Sequence, residues 1–140
     1  MIAIVRITGR VKTKEKVTET LVRLGLGKKY TCILIDEKDK IKNGMLKKVK
    51  DYVAYGEIDK QLIIRLVEKR GQSLNKKPIK DAEKIADAIL SGKNPEELGI
   101  KKYFRLHPPL GGLKSSKKQF PKGVLGNHKQ EINKLIERML

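Results

Sequence analysis

The sequence contains no tryptophan, one cysteine, two phenylalanines and four tyrosines. With so few large rings, the interior has to be assembled mainly from isoleucine, leucine and valine. A hydrophobic content of 39% over 140 residues is enough for one compact domain, or a small domain with an appendage. Cys32 alone excludes an intramolecular disulfide and a cysteine-built zinc site. Its neighbours Tyr30, Ile33, Leu34 and Ile35 make it a small buried hydrophobe rather than a nucleophile. No apolar run approaches the roughly 20 residues of a membrane-spanning helix. The opening MIAIVRITGR lacks the charged-then-apolar layout of a signal peptide, so a cytoplasmic protein is expected.

Another scarcity is local. From Leu98 to Gln130, 33 consecutive residues include no aspartate or glutamate, yet carry eight lysines or arginines, both histidines and three of the five prolines. Charge of one sign repels itself unless a partner neutralises it. The apolar residues of this window are scattered among glycines and prolines rather than set at helical or strand spacing. It is therefore expected to bury little core by itself and to take its order from a partner, or else to be a solvated basic loop.

The whole chain has 33 basic and 16 acidic residues, a formal charge of +17. The imbalance sits at the ends: residues 1–60 carry +7, residues 61–100 carry +2 and residues 101–140 carry +8. Such a distribution is the electrostatic footprint of a nucleic-acid binder. A membrane-surface protein would also need a basic amphipathic helix with interfacial aromatics, and none is present.

The apolar pattern predicts a strand at Ile2–Ile7, then a helix capped by Thr13, with Val17, Leu21 and Leu24 inward and Gly25 as its stop. A second strand follows at Tyr30–Ile35. A second helix after Asn43-Gly44 turns Met45, Leu46 and Val49 inward, and a third strand spans Tyr52–Ile58. The expected fold is α+β: a three-stranded sheet, β-α-β-α-β, with two helices on one face and a bare face that needs a cover. Residues 1–58 would form this core domain. Residues 59–140 would be an extension with helices near 59–70, 81–90 and 127–140, a short turn from Asn94-Pro95 to Gly99, and the acid-free basic loop 98–130.

No catalytic, metal-ligating or cofactor-binding constellation emerges. Gly25-Leu26-Gly27-Lys28-Lys29 fails as a phosphate loop, which needs about four residues between its glycines, Ser or Thr after the lysine, and a strand-to-helix position. A helix cap followed by two phosphate-contacting lysines fits better. His107 and His128 are 21 residues apart with no carboxylate or cysteine beside them in sequence. Two histidines with a lysine could cleave RNA by acid–base chemistry. Extended segments threading structured RNA instead use histidine to stack on a base or donate to phosphate. A free nucleic-acid-compacting protein is a further alternative. Lys47, Lys48 and Lys50 fit either a solvated surface or a contact surface. Gly111-Gly112, Gly123 and Gly126 fit either close approach to a sugar-phosphate backbone or simple flexibility.

The run LGLGKKYTCILIDEKDKIKNGMLKKVKDYV, Leu24 to Val53, resembles the signature of the universal large-subunit ribosomal protein L-thirty family, called L-seven in eukaryotes. FRLHPPLGGLKSSKKQF resembles that family's archaeal and eukaryotic extension, with its Arg-Leu-His-Pro-Pro at Arg105–Pro109 followed by Gly111-Gly112. The long basic amino-terminal arm of the eukaryotic members is missing, so the resemblance is to the archaeal type. It implies a ferredoxin-like fold and a non-catalytic role: a structural constituent of the 50S subunit in translation. The implied partners are the 23S-type rRNA, with the 5S rRNA as an additional candidate, and neighbouring ribosomal proteins, with no membrane and no small-molecule substrate. Charge and position then assign rRNA contact to Arg10, Lys12, Lys28, Lys29 and Lys42 around the core. In the extension they assign it to Arg105, His107, Lys114, Lys117, Lys118, Lys122 and His128.

Overall fold

The computed structural model describes residues 1–9, 14–76, 79–112, 120 and 122–140. The described residues form five strands and five α-helices, in the order β1 (Ile2–Arg6), α1 (Glu15–Leu24), β2 (Thr31–Ile35), α2 (Lys40–Val49), β3 (Val53–Glu57), α3 (Lys60–Arg70), α4 (Ala82–Leu90), β4 (Tyr103–Arg105), β5 (Gly126–Asn127) and α5 (Ile132–Met139). Short 3₁₀ turns occupy Pro95–Leu98 and Lys129–Glu131. The strands form one mixed sheet in the order β4-β2-β1-β3-β5. All pairings are antiparallel except β3 with β5.

Side chains alternate across a strand, so each strand feeds two cores. On one face Ile4, Ile33, Ile35 and Val53 pack against Leu21 and Leu24 of α1 and Leu46 and Val49 of α2. On the other, Ala3, Val5, Cys32, Leu34 and Ala54 meet the apolar stripes of α3, α4 and α5. The α+β core with two helices on one face is as expected, and the cover for its second face comes from residues beyond 58. Coverage on both sides explains why the central strands are almost uninterruptedly apolar rather than alternating.

The sheet is wider than three strands. Lys101-Lys102-Tyr103-Phe104-Arg105 offers one core-forming residue among cations, too little for a strand pattern, yet Phe104 pairs with Cys32 and is fully buried. Gly126 and Asn127 extend the opposite edge beside Ala54 and Tyr55. The acid-free window is therefore not a single loop: it supplies both edge strands and buries Ile100, Phe104, Val124 and Leu125. Their partners are distant in sequence, which is why spacing within the window does not reveal them.

Two helix boundaries differ for local reasons. The second helix begins at Lys40, before Asn43-Gly44, because the Asp39 carboxylate accepts from the main-chain N–H groups of Ile41 and Lys42, each at 3.1 Å. The last helix begins at Ile132 rather than at residue 127, since Asn127 is spent in β5 and Lys129 takes the left-handed conformation, φ 52°. Thr13, the expected cap of α1, lies outside the described residues. Gly25 ends α1 in the left-handed conformation, φ 95°, with the Leu26 N–H donating to the Leu21 carbonyl at 2.8 Å.

Candidate nucleic-acid interface

The strand registers bring several separate segments to one end of the sheet. β1 leaves there after Arg6, β2 enters there after Lys28-Lys29-Tyr30, β4 leaves there at Arg105, and β3 and the parallel β5 both enter there. Main-chain hydrogen bonds lock the junctions: Tyr30 donates to the Arg6 carbonyl at 2.7 Å, and Leu106 donates to the Tyr30 carbonyl at 2.9 Å. The Thr8 hydroxyl donates to the Tyr52 carbonyl at 3.0 Å. Arg6, which its place in an apolar run conceals in the sequence, is fully buried behind them. Its guanidinium donates to the carbonyls of Leu26 at 2.7 Å and Thr8 at 3.0 Å, so the loops at this end are pinned from inside. A buried arginine is tolerable only with such partners.

The surface over this scaffold is basic. Lys28, Lys29 and Arg105 are exposed, as is Lys50 at the end of α2. Among the described residues none of them, nor Lys101 or Lys102, is in an ion pair. Tyr30 holds a left-handed backbone, φ 62°, unusual for a bulky side chain, with Lys29 Nζ 5.0 Å from its ring centroid. At Tyr103 the ring lies under both Lys101 Nζ at 5.8 Å and the Arg105 guanidinium at 5.5 Å. The Tyr103 phenol is held below its ordinary range, first by a hydrogen bond with Arg105 and then by the positive field of Lys101 and Arg105, with burial opposing. Uncompensated cations around aromatic rings are what a polyanion with stackable bases needs.

The model of ribosomal protein L30p/L7e matches residues 2–53, from β1 to the start of β3. Over the full length, the large ribosomal subunit protein uL30 of Archaeoglobus fulgidus is 39% identical, with 99% of each chain covered. The chain belongs to the L30p/L7e family. The uL30 proteins of Desulfurococcus amylolyticus and Korarchaeum cryptofilum are each 41% identical, covering 99% and 100% of this chain and 97% and 95% of theirs.

Within this L30p/L7e chain the residues singled out from sequence fall into separate groups. Lys28, Lys29 and Arg105 belong to the basic end, and Lys122 is exposed in the segment that leads into β5. Lys42 is at the opposite end of the sheet, in the first turn of α2 beside Asp39. Arg10, Lys12, Lys114, Lys117 and Lys118 lie outside the described residues. The two histidines are held by the protein itself. His128 is only 5% exposed, with Nε2 2.5 Å from the Val124 carbonyl oxygen and its ring 4.5 Å from that of Phe120.

His107 sits in a strap that closes the end of α5. Its main-chain N–H donates to the Met139 carbonyl at 3.1 Å, and that of Leu110 donates to the Arg138 carbonyl at 3.0 Å. Arg138 reciprocates through its guanidinium to the carbonyls of Leu110, at 2.8 Å, and Gly112. The Arg-Leu-His-Pro-Pro string of the L30p/L7e extension thus satisfies helix-terminal carbonyls that would otherwise lack donors. Tyr30 and Tyr103, with Lys101 against the Tyr103 ring, join the site only once the fold is known. The two aromatics flanked by cations over 101–105 are the signal of Tyr103 in the sequence.

Proposed function

We propose that this protein is a non-catalytic constituent of the large ribosomal subunit that binds large-subunit rRNA, of the 23S type, through the basic end of its sheet. The 5S rRNA is an additional partner in this reading, and translation in the cytoplasm its setting. The supporting observation is the convergence of Lys28 and Lys29, on a loop that a fully buried arginine helps to pin, with Arg105 at the end of β4, all three exposed and outside every ion pair among the described residues. Pre-ordered cations lose little entropy on meeting phosphate, and counterion release then drives association. Contact through phosphate fixes position and orientation without reading sequence.

The histidines favour this reading over RNA cleavage. Each ring has a nitrogen within 2.7 Å of a main-chain oxygen, and His128 is buried, so acid–base work on a substrate would first require both to be released. Crosslinking within native large subunits, with mapping of the joined nucleotides and residues, tests the proposal. Adducts from Lys28 or Lys29 to large-subunit rRNA are the expected result. Absence of the chain from washed subunits, or crosslinks to protein alone, would sink it.

A further inference from the structure

β4 is the outer strand on its side of the sheet, and Phe104 points from it into the core under α3, α4 and α5. Its neighbours Tyr103 and Arg105 therefore share the opposite face, where Tyr103 packs against the cluster containing its cross-strand partner Ile33. Lys101 and Arg105 both approach the Tyr103 ring, while Lys102 lies over Gly25, its Cε 3.2 Å from where a Cβ there would stand. Folding alone does not call for this arrangement. Two cations crowd one half-buried ring with no carboxylate paired to either among the described residues, and their mutual repulsion works against the folded state.

The chemistry that relieves the repulsion is specific. A guanidinium held beside a tyrosine ring is planar and weakly hydrated, and its open face accepts a nucleobase, while an adjacent ammonium meets phosphate as a point charge. A paired base is sandwiched in its own helix and cannot enter such a stack. We propose that Tyr103 and Arg105 form a stacking platform for one unpaired base of the bound RNA, with Lys101 on the adjoining phosphate. The proposal deepens the rRNA-binding reading and rests on it. The platform also explains why Tyr103 is a tyrosine at an edge position where any β-former would pair with Ile33.

The test is affinity for two RNAs, a hairpin with a purine-rich unpaired loop and a fully paired duplex of equal length. It compares the full chain with its Tyr103→Leu, Tyr103→Phe and Arg105→Lys variants over a range of salt. Loss of one base stack weakens the loop RNA about tenfold in Tyr103→Leu, with duplex binding and salt slope unchanged. Arg105→Lys keeps the charge and the fold but loses the plane, and should show a loss of similar order. Tyr103→Phe should bind the loop RNA within about twofold of the parent chain. Equal binding of the loop RNA by all four proteins overturns the platform and leaves phosphate contact alone. A loss in Tyr103→Phe matching that in Tyr103→Leu would also overturn it, pointing to the hydroxyl instead. If the parent chain retains neither RNA, the rRNA-binding reading fails first and the platform with it.

Discussion

His107 and Leu140, 33 residues apart, meet at the close of the fold: imidazole Nε2 lies 2.5 Å from the main-chain oxygen of Leu140, while Nδ1 faces the Pro108 carbonyl at 2.7 Å. The ring ties strap to helix. His107→Ala is expected to destabilise the protein by about 1 to 2 kcal/mol, the net worth of one or two such hydrogen bonds. Hydrogen exchange should accelerate at Leu110, whose N–H depends on the strap staying docked on Arg138. Chemical unfolding measures the first effect. An unchanged midpoint with weakened RNA binding would instead return His107 to the RNA surface.

Gly56 faces Lys129 and Ile132 across the junction of β3 with the turn before α5. A methyl group there would run into the Lys129 carbonyl oxygen and stand 2.9 Å from Ile132 Cβ. The obstruction includes backbone, so relief requires the whole turn to retreat. Gly56→Ala should cost at least the roughly 1 to 3 kcal/mol typical of overpacking. Urea unfolding of the variant checks this, with a loss under about half a kilocalorie counting against it.

The contrast between these two sites and the central strands explains what the sequence could disclose. Ile2–Arg6, Thr31–Ile35 and Val53–Glu57 are apolar because both faces are covered, and α1 and α2 carry their own stripes and stops, so local pattern suffices. β4 and β5 are three and two residues long and depend on Cys32 and Ala54, each about 70 positions away. No window of local sequence contains that information. The basic loops were legible as charge, but their meeting at one end follows only from strand order. The histidines were legible only as polar residues: the main-chain oxygens they meet are supplied by the fold and not by neighbours in sequence.

Cys32 sets a pH dependence of stability. Burial pushes its thiol up from 9.0 to about 12. The unfolded chain therefore sheds this proton at a lower pH than the folded one, and between those values the folded state binds more protons. The contribution is complete below pH 9 and declines as pH rises toward 12. Comparing wild type with Cys32→Ala isolates it from lysine titration in the same range. Wild type should lose up to about 1.4 kcal/mol per pH unit relative to the variant. Parallel curves would refute the assignment, as would rapid labelling of the folded thiol at neutral pH.

The position of the cations separates two charge reversals of equal size. Lys28→Glu with Lys29→Glu alters the basic end, whereas Lys40→Glu with Lys42→Glu alters the first turn of α2 at the other end of the sheet. The first pair should weaken rRNA binding strongly and flatten the log–log salt dependence by about 0.7 to 0.9 for each phosphate no longer neutralised. The second pair should leave that slope unchanged. Filter binding across a salt series distinguishes them, and equal effects would mean that net charge, not location, governs association.

The boundary near residue 58 is a change of pattern, and the packing argues that it is not a boundary of folding. Ala3, Val5, Cys32, Leu34 and Ala54 are all buried, and the helices over them, α3, α4 and α5, come from beyond that point. A chain ending at residue 58 would present this face to water as one continuous apolar patch, at about 25 cal/mol for each Å² no longer buried. It would also lose Phe104 from beside Cys32, leaving β2 as an open edge of aliphatic residues. The fragment 1–58 is therefore expected to be unfolded or aggregated, and full-length unfolding should be a single transition by circular dichroism and by tyrosine fluorescence alike. A soluble fragment with native-like strand content, or two separated transitions, would show that the first three strands form an independent domain.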